Sequence, residues 1–174
     1  MFQSKYLTVI LMILVAAGSR LLPHPPNFSP ILAISLFAGA YLPGKRLAYL
    51  IPVLAMFLSD LVIGFHELVP LVYLCMVLFV FLGATLSKKI NLPRTVTFTL
   101  GSSVFFFVTT NFAVWLTSGL YTLNVSGLIQ CFTLAIPFFQ NSLLGDFVFV
   151  GLLFGSMAFL ETSYFSKRAT VLAK

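Results

Sequence analysis

The chain has 174 residues, of which 60% are hydrophobic and only 8% charged. A soluble domain of average make-up carries about 25% charged residues, so a chain of this length with 20 Phe cannot hide its apolar surface from water, and lipid must face much of it. The formal charge of +6 comes from basic residues in short loops and tails beside apolar runs, where topology signals belong. No stretch interleaves aromatics with a basic patch, so no nucleic-acid partner is expected.

A spanning helix needs ~17–25 apolar residues, and the pattern predicts an all-α integral membrane protein of six transmembrane helices in one domain, 1–174. The first span is expected over 6–22. Lys5 and the small residues Ala16–Ser19 give it some features of a signal peptide, but it is read as a retained helix. Next comes "RLLPHPPNFSP", Arg20 to Pro30, a stiff polar interruption between two apolar runs. The second span, 28–42, is short, with Asn27 or Ser29 as cap and Pro30 in the first turn. The third is expected over 47–64, the fourth over 69–87 and the fifth over 94–116. The stretch 126–161 is too long for one span. It divides at Pro137 into an outer segment, 127–139, and a sixth span, 140–161.

Lys5, Lys45, Arg46, Lys88, Lys89, Arg94, Lys167, Arg168 and Lys174 then fall on one side, and only Arg20 falls toward the other. Cytoplasmic loops collect Lys and Arg, so both termini are expected inside. The outer side receives the connections 23–28, 65–69 and 117–125. They hold His24, Asn27, His66, Glu67, Tyr121 and Asn124, and the helix ends beside them carry Asp60, Asn111, Trp115, Asn141 and Asp146.

Chemistry-bearing residues therefore gather at the outer end. Asp60 is expected to contact a ligand, to pair with Arg20, or to cap a helix near water. A charge at the bilayer centre costs ~2.5–3.5 kcal/mol on insertion scales and needs a partner or a wet cavity. Asp146 is expected in an inward-facing polar cluster with Asn141, and Gly145 beside it permits close backbone approach. Cys75 and Cys131 fall in apolar runs and read as free packing thiols, although the thiol of Cys75, near the start of the fourth span with Tyr73, could ligate a soft metal centre. His24 and His66 show no metal-ligand spacing and suit hydrogen bonds to a bound molecule. Trp115, Tyr121 and Tyr41 suit an interfacial belt. The chain has neither GxxxxGK[ST] nor GxSxG. Gly151–Gly155, a GxxxG step, and Ser35–Gly39 are expected to let helices pack closely.

"SRLLPHPPNFSPILAISLFAGAY", "SDLVIGFH", "TTNFAVWLTSGLY" and "AIPFFQNSLLGDFVF" together resemble the S-components, the substrate-binding subunits of energy-coupling factor vitamin transporters. The resemblance implies a six-helix bundle with cytoplasmic termini in the bacterial inner membrane. It also implies a vitamin site under the three outer loops. The usual docking pattern for the shared membrane subunit and its ATPases is absent: at four-residue spacing Ala16 has Met12 and Arg20, and Ala17 has Ile13 and Leu21. This departure is similar to the solitary cobalamin-specific BtuM group.

That resemblance implies Cys75 as ligand to the cobalt of bound cobalamin, with accessory loss of cyanide from cyanocobalamin aided by His24. It implies no cofactor beyond cobalamin itself as substrate. The expected binding set is Arg20, His24, Asn27, Asp60, His66, Tyr73, Cys75, Asn111, Trp115, Tyr121, Asn141 and Asp146. Three other readings stand beside it: a smaller vitamin or precursor in the same fold, a membrane enzyme using Asp60 and Asp146, and a structural protein with a filled core. Cavity volume separates cobalamin from the smaller vitamin, because a corrinoid needs far more room.

Overall fold

Asparagine, glycine and proline punctuate the apolar runs, and the helices start and stop there. A computed structural model describes residues 2–165; Lys167, Arg168 and Lys174, assigned above to the cytoplasmic side, lie outside the described residues. The described chain is helical. It consists of α1 (Phe2–Gly18) with a short 3-10 turn (Ser19–Leu21), α2 (Ile31–Tyr41), α3 (Lys45–Ile63), α4 (Val69–Leu86), α5 (Leu92–Thr117) and α6 (Val125–Leu160), the last running into a π-turn (Glu161–Phe165). Asn91 caps α5 by accepting from the Arg94 N–H at 3.0 Å, and Asn124 caps α6 by accepting from the Gly127 N–H at 2.9 Å. Gly64, at φ 103°, ends α3 in a conformation that favours glycine.

Five helices, all but α2, are long and apolar enough to cross a membrane. The expected second span is corrected. Residues 28–30 are not helical, and α2 has only 11 residues, about 16 Å of helix against a hydrocarbon core of about 30 Å. Leu32 through Gly39 are all buried, so α2 is apolar on every side because protein surrounds it. Its tightest neighbour is α4. A Cβ on Gly39 would lie 2.0 Å from the Val80 carbonyl oxygen, and one on Gly83 would lie 2.1 Å from that of Leu36. Only glycine allows these backbones to approach so closely. Phe37, Phe79, Met76 and Ile13 fill the core around this contact.

The expected break at Pro137 is absent: α6 continues through it for 36 residues, about 54 Å. A proline deletes one backbone hydrogen bond, but apolar surroundings offer the flanking turns no water as a competing partner. The first half of α6 packs along the second half of α5. Phe107 meets Phe132 and Phe139 with ring centroids 5.6 and 4.5 Å apart, and the Cys131 thiol donates to the Asn111 carbonyl at 3.4 Å. A second correction concerns the GxxxG step. Nothing lies within 4 Å of a Cβ built on Gly151 or Gly155, so no helix of the described chain packs there.

The bundle has two unlike ends. At one, Lys5 pairs with Glu161 at 2.5 Å and lies over the Tyr41 ring, which brings the start of α1, the end of α2 and the end of α6 together. The opposite end gathers Arg20, the loop 22–30, the end of α3 and the start of α4.

Candidate functional site

Two polar clusters occupy that opposite end, and each holds a buried carboxylate. The first joins α1, α3 and α4. Arg20 follows the last turn of α1, and its Nη1 donates to Asp60 Oδ1 at 2.6 Å and to the Ser59 hydroxyl. Ser59 passes its own proton to the Met56 carbonyl at 2.8 Å. Tyr73, one turn into α4, donates to Asp60 Oδ2 at 2.6 Å. Asp60 is 4% exposed, yet both its oxygens have donors and its charge has a counter-ion. A buried carboxylate so completely paired is a stable structural joint, since breaking such a pair leaves one charge stranded.

The second cluster lies between the loop 22–30, α5 and α6. Four prolines stiffen this loop, and Asn27 takes a left-handed turn at φ 64°. It is tied down at three points. The Asn141 amide donates to the Pro26 carbonyl at 3.1 Å, Phe28 packs on Phe149 with centroids 5.5 Å apart, and Gly145 lets the backbone of Phe28 and Ser29 approach α6. Beneath the loop are two small chambers. One, of about 90 Å³, is lined by Asn27, Ser103, Thr110, Asn111 and Ser142 together with Phe106, Phe107, Phe138 and Phe139. The other, of about 30 Å³, is lined by Asn27, Ser29, Phe79, Phe106, Ser142 and Asp146, with the first turn of α2.

Asp146 is 7% exposed and receives much less support than Asp60. Ser103 donates to Asp146 Oδ2 at 2.6 Å, but the Thr99 carbonyl lies 2.9 Å from the same hydroxyl. One hydroxyl has one proton, so Ser103 serves these acceptors alternately. No basic side chain among the described residues pairs with Asp146.

The pattern of one protein family matches residues 1–170. The chain belongs to DUF6580, a family of unknown function. No curated protein and no solved structure matches it.

In this DUF6580 chain the expected site residues divide. Arg20, Asp60 and Tyr73 form the first cluster. Asn27, Asn111 and Asp146 line the chambers of the second, and Asn141 anchors its loop. The Asn111 amide itself donates to the Phe107 carbonyl at 2.8 Å. Trp115 donates to the Thr122 carbonyl at 3.0 Å and so braces the α5–α6 connection, where half-buried Tyr121 also lies. His24 and His66 are both exposed, and the His24 ring contacts only the neighbouring Pro25 carbonyl. Cys75 is 2% exposed and lines neither chamber. It borders a groove of about 480 Å³ with Tyr49, Leu74, Phe81 and Phe105. Ser29, Ser59, Ser103 and Ser142 were missed from the sequence. For Ser59 and Ser103 the visible signal is a small hydroxyl in a mostly hydrocarbon run; Ser29 and Ser142 lie among other polar residues.

Proposed function

We propose that this chain is a multi-pass membrane protein of the bacterial inner membrane that binds a small, neutral, ring-bearing solute for uptake, in the manner of an S-component. The observation that carries this reading is the chamber of about 90 Å³ under the loop 22–30, whose lining mixes hydroxyl and amide groups with four Phe on both α5 and α6. Such a mixture, apolar surface with a few convergent polar groups, is what small-molecule sites offer. The basic residues Lys45, Arg46, Lys88 and Lys89 at the far end of the bundle support a cytoplasmic position for that end, with the chamber facing outward.

Size decides the substrate class. A cavity of about 150 Å³ accepts a benzene ring, so the chamber fits a ring only after the loop lifts slightly, and a vitamin precursor with one heteroaromatic ring is the fitting class. Cobalamin fits less well. Its cobalt would need the Cys75 thiol, which lies in the core and faces an apolar groove rather than the polar chambers. Docking on a shared ATPase module also lacks support, because Ala16 and Ala17 are buried at 8% and 3% exposure.

The test is ligand-induced thermal stabilisation of the purified protein across a set of single-ring vitamins and precursors, with cobalamin included. Stabilisation by one of the small solutes, lost in Asn111→Leu, is expected. A red preparation with a corrinoid spectrum that disappears in Cys75→Ala would overturn the small-solute reading.

A further inference from the structure

The geometry points to a monovalent cation site, most simply for sodium, in the chamber of about 30 Å³ at Asp146. Three observations converge there. Asp146 is a buried carboxylate with no basic partner among the described residues and only a shared hydroxyl for support. An unpaired charge is costly in a low-dielectric interior. Ser29 Oγ, which lines the same chamber, is fully enclosed and has no hydrogen-bond partner. The space itself exceeds the ~10–15 Å³ that one water requires, so it accommodates a single ion but nothing as large as an organic ammonium.

The donor set selects the ion. Asp146, Ser29, Ser142 and Asn27 offer carboxylate, hydroxyl and amide oxygens, which suit a hard cation. No group of three His, Cys, Asp or Glu side chains occurs among the described residues to hold a transition metal. One carboxylate balances one positive charge, and a divalent ion would leave an excess charge buried. Protonation of Asp146 would remove its charge but would still leave Ser29 Oγ without a partner, whereas a cation satisfies both.

Asn27, Phe106 and Ser142 line this chamber and the larger one alike. Ion and solute therefore share walls, and sodium bound at Asp146 would organise Asn27 for the solute. This coupling rests on the proposed solute reading, whereas ion binding does not.

The experiment is the thermal midpoint of the full chain in lipid nanodiscs, titrated with sodium chloride against choline chloride at constant ionic strength. A saturable rise with sodium is expected, as for any ligand that binds only the folded state, with none from choline. Asp146→Asn should abolish it. Ser29→Ala should raise the half-saturating sodium concentration about tenfold, the worth of one good contact to a charged group. If Asp146→Asn does not fold, the Ser29→Ala shift decides alone. Equal rises in the two salts, a sodium response kept by Asp146→Asn, an unchanged half-saturation in Ser29→Ala, or stabilisation that follows pH but not sodium would each overturn the site. Asn111→Leu, which removes a wall of the larger chamber only, should keep the sodium response, so failure of solute binding and failure of the ion site are read separately.

Discussion

Asp60 and Asp146 are the same residue in the same solvent, both less than a tenth exposed, and their surroundings are opposite. Asp60 joins α1, α3 and α4 through a cation, a serine and a phenol, and both of its carboxylate oxygens accept from a donor. Asp146 shares one hydroxyl with a carbonyl and lines a chamber of about 30 Å³. Gly39 and Gly83 bring the backbones of α2 and α4 together, while a Cβ built on Gly151 or Gly155 of α6 would meet nothing within 4 Å. One half is closed by mutual satisfaction, and the other keeps unused polar and steric capacity. Capacity of that kind has a cost in stability, and the proposed solute and ion are both assigned to the α5–α6 half that carries it.

The largest expected effect is on the satisfied side. Arg20→Met removes the counter-ion and strands Asp60, and breaking a buried pair this way costs ~3–5 kcal/mol. Reversible unfolding in mixed micelles should show a loss of that size. Asp146→Asn, measured in sodium-free buffer, should leave stability unchanged or raise it, because a neutral amide no longer needs a counter-charge. If both substitutions destabilise equally, the contrast between the two carboxylates is wrong.

That contrast was only partly legible in the sequence. Arg20 and Asp60 flank the same outer boundary, so their pairing could be anticipated from topology alone. The ends of α3, α4 and α5 could be read because Gly44, Gly64, Pro70, Asn91 and Pro93 punctuate them. The role of α2 could not, since an apolar 11-residue helix looks the same whether lipid or protein surrounds it. Pro137 misled because proline's effect depends on whether water can take up the freed carbonyl. Ser103 was invisible for a related reason: a hydroxyl in an apolar run has no periodicity of its own, and only three-dimensional contact pairs it with Asp146, while Ser29 reads in the sequence as a helix cap and is brought to the same chamber by the loop. Cys75, read both as a packing thiol and as a soft-metal ligand, lies in the core at the edge of the apolar groove.

Hydroxyl deletions sharpen the comparison further. Tyr73→Phe keeps the ring and removes the phenol that donates to Asp60 Oδ2, so ~1.5–3 kcal/mol should be lost, the range for a hydrogen bond to a charged group. Ser103→Ala should cost clearly less, because its single proton is already divided between Asp146 and the Thr99 carbonyl. The two variants, unfolded side by side, measure how much of each carboxylate's support the protein supplies.

Glycine substitutions carry the smallest effects and the cleanest difference in sign. Gly83→Ala places a methyl 2.1 Å from the Leu36 carbonyl oxygen, so α2 and α4 must separate and ~1–3 kcal/mol should be lost. Gly151→Ala meets nothing within 4 Å and sits inside a helix, where alanine is favoured over glycine by ~0.5–1 kcal/mol. It should therefore stabilise the protein slightly. The residue change is identical in the two cases, so propensity cancels from the difference and steric contact alone determines the gap. A loss at Gly151 as large as that at Gly83 would mean that something outside this chain packs against α6, and the division into a satisfied half and an open half would fail at that face.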